Sequence, residues 1–117
     1  MTVKQLLDQT GWRLAQEGNP DLEREITGVY SCDLLSFAMG RAPADSAWVT
    51  IIGNVNAVAV ASLADVACVV LADGVVPDPE AAQRAGEQRI PLLLSHIPIF
   101  ETALQIHMLL TAESRDQ

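Results

Sequence analysis

Residues 51–74, IIGNVNAVAVASLADVACVVLADG, decide how this chain folds. The segment is almost wholly small and apolar, with Asn54, Asn56, Asp65 and Asp73 spaced along it. A membrane span needs about 18 uninterrupted apolar residues, and Asn54, Asn56 and Asp65 break the run. Two readings are left. In a hairpin, GNVN is the turn and AVAVA the return strand, a choice the β-branched valines favour. In a crossover, Asn54 or Asn56 caps a helix over VNAVAVASLA, and the length through to Asp65 favours it. The crossover makes the segment a strand tip, a covering helix and a second strand, with polar residues at the joints.

The flanking sequence continues that alternation. Upstream, REITGVYSC reads as a strand, and Asp33 is placed to cap a helix over LLSFAM, with Gly40 where a left-handed C-terminal residue belongs. RAPADS is a loop turned at Pro43, and AWVTII is the next strand. Downstream, VACVVLA is a buried strand and DGVVPDPE a loop. Asp78 and Pro79 form an N-cap and N1 pair for EAAQRAGEQ. IPLLLS is a short strand. Pro98 opens a helix to about Thr111, its apolar face carrying Phe100, Ala103, Leu104, His107 and Met108. Before all of this, Thr2 caps a short helix ending at Gly11, WRLAQ alternates like a strand, and EGNPDLE is turn chemistry. AESRDQ is a polar, frayed tail.

From about residue 25 the order is βαβαβαβα. Such alternation predicts an α/β fold: one three-layer domain, residues 1–117, with a central, mainly parallel sheet and helices on both faces. At 117 residues and 50% hydrophobic, the chain can bury a core unaided. Aromatics are few, so that core is aliphatic, as parallel strands prefer.

Composition narrows the function. A net charge of −8 repels a phosphate backbone and argues against nucleic-acid binding. Cys32 and Cys68 lie in apolar runs without a CxxC or a Cys/His cluster, so they read as reduced packing groups and no metal site is expected. The opening residues lack the apolar core of a signal peptide, so the default expectation is a cytoplasmic protein with no membrane contact.

The alternation, with the particular words IIGNVNAVAVASLADVACVVLADG and AAQRAGEQRIPLLLSHIPIFETALQI, resembles the DRTGG domain family from about Ile26 to Ile106. The family's acid–arginine pair falls here at Asn54 and Val55, and its Thr-Gly-Gly at Ala72, Asp73 and Gly74, so this chain is a divergent, stand-alone member in that comparison. The resemblance implies a non-catalytic regulatory or protein-interaction module of the kind found beside HPr-kinase-like domains, with a metabolic or redox enzyme as a further partner. No GxxxxGK[ST] loop is present to cradle phosphates, so neither kinase activity nor a cofactor is expected.

Ligands of open α/β sheets sit beyond the carboxyl ends of the strands. Ser31 and Asp33, then Gly53, Asn54 and Asn56, then Asp73 and Gly74, then Ser95 and His96 all follow predicted strands and fall on one rim. They form either a pocket for a small metabolite or nucleotide, or the caps and turns that such junctions need anyway. Cys32 and His96 with Asp33 or Asp73 make a nucleophile, base and orienter only if they touch, and no catalytic residue is assigned. The final helix carries more apolar residues than one buried stripe needs. It therefore points to a second covering surface, either the N-terminal helix or, in a homodimer, a copy of the chain.

Overall fold

The structure, a computed structural model, describes residues 1–15 and 18–115. Gln16 of the WRLAQ expectation, Glu17 of the turn and Asp116 and Gln117 of the tail lie outside the described residues. Helix α1 spans Val3–Thr10, strand β1 Arg13–Leu14, β2 Gly28–Ser31, α2 Leu35–Arg41 and β3 Ser46–Thr50. Then come α3 Val55–Ala64, β4 Cys68–Leu71, α4 Pro79–Glu87, β5 Leu92–Leu94 and α5 Ile99–Arg115. The sheet order is β1-β5-β4-β3-β2, with β2 to β5 parallel and β1 antiparallel to β5. Trp48 stands opposite Tyr30 on one side and Val69 on the other.

The crossover reading of residues 51–74 holds. The Asn54 side chain accepts from the Ala57 N–H at 3.0 Å, which starts α3. Asp65 ends it in the left-handed conformation at φ 59°, its N–H bonding to Ala61 and Ser62 carbonyls. Each valine costs roughly 0.5 kcal/mol of helix propensity relative to alanine. Burying a valine side chain returns about 1.5 kcal/mol, and Val58 and Val60 are buried. Packing therefore outweighs the strand preference that favoured a hairpin.

Alternate residues of each strand feed two separate cores. Trp48, Val69, Leu71 and Leu92 pack under α2, α3 and α4 through Ala38, Ala57, Val58, Ala61, Ala81 and Ala85. Ala47, Val49, Cys68, Val70 and Leu93 pack on the other face with Val3 and Leu6 of α1, Ile26, and Ile106 of α5. These are the three layers expected. Alanine recurs on the first face because it lets the helices approach the sheet closely. Thr2 and Gln5 form a reciprocal capping box for α1, which Gly11 closes at φ 75°.

Three local readings are corrected. Asp33 does not cap α2: the N-cap position is Leu34, with no side-chain bond. Gly40 lies inside α2 rather than at a left-handed terminus, and the chain leaves through an extended Ala42. The stripe assigned to the buried face of α5 is largely its outer one. Phe100 is 69%, Leu104 40% and Met108 61% exposed, while Thr102 and Ile106 face the sheet. His107 is exposed as well. Asp78 does occupy the N-cap of α4, ahead of Pro79, but its side chain makes no capping bond.

The Ser46 hydroxyl is buried without a hydrogen-bond partner. An unpaired buried hydroxyl costs roughly 1–3 kcal/mol. Ser46→Ala is therefore expected to leave stability unchanged or raise it, by urea denaturation. Asn54→Ala is expected to lower it by about 1 kcal/mol through loss of the α3 cap; an unchanged midpoint would contradict the capping role.

Candidate functional site

Because β2 to β5 are parallel, the residues that follow them do converge on one rim. Their polar groups, however, are largely engaged with one another. Asp33 Oδ1 accepts from the Thr50 hydroxyl at 2.8 Å and the Ile51 N–H at 3.0 Å, tying the β2–α2 loop to the end of β3. The Gly53 carbonyl accepts from the Asp78 N–H at 2.8 Å. A Cβ on Gly53 would lie 3.0 Å from the Pro77 Cα, so the β4–α4 loop closes directly over it. Asn54 is consumed as the cap of α3. Asn56 is exposed in the first turn of the same helix, Ser31 is exposed at the end of β2, and His96 stands on the surface.

One place on this rim has the topology of a ligand crevice. The chain leaves β4 towards α4 on one face and β5 towards α5 on the other, and such a divergence opens a cleft in open α/β sheets. Here it is stitched shut. Asp73, at φ 62°, donates its N–H to the Ile97 carbonyl at 2.8 Å, and Gly74, at φ 72°, donates to the Ser95 carbonyl at 3.0 Å. Beneath them Ser95 is buried, its Oγ 2.9 Å from Thr102 Oγ1, and it accepts from the Ile97 N–H at 3.3 Å. Thr102 Oγ1 lies 3.1 Å from the Ile97 carbonyl, within hydrogen-bonding reach. Thr102 was not singled out in the sequence, since one hydroxyl among apolar helix positions carries no distinguishing signal.

The nucleophile–base arrangement is not assembled. Cys32 follows β2 and His96 follows β5, with β3 and β4 between them, so three strand spacings of about 4.8 Å separate them by roughly 14 Å. Cys32 Sγ is engaged locally with the N–H and carbonyl of Leu34, both at 3.4 Å. Cys68 points into the other core, fully buried, and burial pushes its thiol up to about 12. Among the described residues no group of three or more His, Cys, Asp and Glu is placed to hold a metal. No helix among them is long and apolar enough to cross a membrane.

The opposite end of the sheet holds a network that the scattered basic residues did not announce. Arg24 bonds Asp45 Oδ1 at 2.7 Å, Asp65 Oδ1 at 2.9 Å and the Asp65 carbonyl at 2.7 Å. Burial weighs against its charge, but the bonds to the two aspartates outweigh that and hold its pKa above the ordinary value. Arg24 thereby fastens the turns that precede β3 and β4. A hollow of about 270 Å³ beside it is lined by Ser62, Asp65, Gln88 and Arg89, below the usual size of a ligand pocket. A shallow apolar groove of about 350 Å³ runs along α5 between Ile97, Leu104, Met108 and Leu109.

No protein-family model and no curated protein matches the chain.

The two thiols differ enough to be told apart. A thiol-reactive probe at pH 8 is expected to label Cys32 in the folded protein and both cysteines only in denaturant. Rapid native labelling of Cys68 would mean that the second core is open.

Proposed function

We propose that the chain is a non-catalytic regulatory or protein-interaction module that self-associates, in keeping with its resemblance to stand-alone DRTGG domains. The observation that carries this reading is the outer face of α5. Phe100, Leu104 and Met108 recur at every fourth position and remain exposed, although α1 lies alongside α5 and shares its core. The N-terminal helix thus covers one flank and leaves the stripe bare. A contiguous exposed apolar patch is the mark of a docking surface.

The polar rim supports the same conclusion from the other side. Asp33, Asn54 and Ser95, with the backbones of Gly53, Asp73 and Gly74, bond within its own loops, which suits a scaffold better than a reaction centre. The resemblance adds a metabolic or redox enzyme as a further partner.

Light scattering of the purified chain tests this reading: twice the chain mass at micromolar concentration is expected, against a single chain mass if it does not self-associate. A rise in melting temperature with one member of a nucleotide and acyl-phosphate panel would favour a metabolite-sensing domain instead.

A further inference from the structure

Nine large hydrophobic residues are exposed among the described residues: Leu34, Phe37, Met39, Ile51, Leu63, Val76, Phe100, Leu104 and Met108. Six of the nine lie at α2 or on α5, and none lies on α1 or α4. Helix α2 leaves the end of β2 and belongs to one face of the sheet, and α5 packs against β2 from the other. The exposed apolar surface is therefore concentrated on the two helices that flank one edge strand.

That edge strand is open. Among the described residues β2 ends the sheet and pairs with β3 alone, Thr2 bridging to Glu25 just ahead of it. Cys32 donates its N–H to the Val49 carbonyl, so by strand alternation Tyr30 also turns towards β3. The backbone groups of Val29 and Ser31 then face outwards. Soluble proteins usually blunt such an edge with lysine, proline, a bulge or extreme shortness. At the far edge β1 has only two residues and carries Arg13. β2, Gly-Val-Tyr-Ser, has none of these devices.

Charge selects the occupant. The chain carries −8, so two copies repel least across a face of low net charge. Over residues 28–41 and 99–115 the charged residues are Asp33, Arg41, Glu101, Glu113 and Arg115, two positive against three negative, so this face carries little of the net charge. These segments supply β2, α2 and α5. A basic partner would seek the acidic surface elsewhere. A single peptide strand would satisfy the edge but leave the apolar residues of both helices bare. A second copy has the same three-layer thickness and covers all three layers together.

We infer that the β2 edge is where a second copy of this chain docks, β2 pairing antiparallel with its twin while α2 meets α2 and α5 meets α5 on either side. Two five-stranded sheets become one continuous sheet of ten. The inference rests on the self-association proposed above and names its surface.

Three measurements on the full chain test it together. Amide exchange by NMR is expected to show Val29 and Ser31 protected at high concentration and exchanging freely on dilution. Light scattering is expected to show that Phe37→Asp and Phe100→Asp each weaken the dimer at least about tenfold. Both side chains are exposed, so the fold should survive, as circular dichroism would confirm. Leu63→Asp, at an equally exposed site on α3, should leave the dimer intact. A dimer whose Val29 and Ser31 amides exchange freely, or that Phe37→Asp leaves undisturbed, overturns the edge assignment but keeps self-association. A chain that stays monomeric at every concentration removes both.

Discussion

The β3–α3–β4 crossover is the constraint from which the remaining architecture follows. A ten-residue helix, capped at Asn54 and stopped by Asp65, returns the chain so that β4 runs beside β3 in the same direction. Parallel strands bury both faces, so successive side chains must supply two cores. Val49 and Val70 serve one, Trp48 and Val69 the other. The covering helices on the first face are alanine-rich where they meet the sheet, and that economy of volume lets three of them share a small surface. Had residues 57–61 paired back on β3, neither core would close.

This part of the fold was legible because its signals reinforce one another. The asparagine cap, the small-residue run through to Asp65 and the apolar strand after it all favour the same unit. Legibility ended where a side chain had two plausible partners. Asp33 sits where a helix cap belongs, but Thr50 and Ile51 at the end of the neighbouring strand compete for it and win. That contact lies between residues 17 and 18 positions apart, beyond any local pattern. Gly40 had the composition of a helix stop, yet the extended Ala42 ends α2 instead. On α5 the apolar residues surround the helix so widely that periodicity does not choose a face. The choice falls to Thr102 and Ile106, and the Ser95–Thr102 hydrogen bond helps seat Thr102 against the sheet.

The same geometry bears on function. The rim that the sequence singled out is real as a place, since four strand ends meet there. Its chemistry is turned inwards: loops from β4 and β5 are joined by backbone hydrogen bonds at the point where they would otherwise part. The apolar surface lies instead along the flank formed by α2, β2 and α5. The bonded rim and the bare apolar flank are the two observations on which the proposed self-association rests.

The most direct test of the whole account is the direction in which β3 and β4 run. Backbone NMR of the isotopically labelled chain reads this without a crystal. The crossover predicts helical Cα shifts from Val55 to Ala64, together with the amide-to-Hα contacts of a parallel ladder between Ala47–Thr50 and Cys68–Leu71. Extended Cα shifts over Ala57–Ala61, with Hα–Hα contacts from that segment back to Trp48–Ile52, would contradict it.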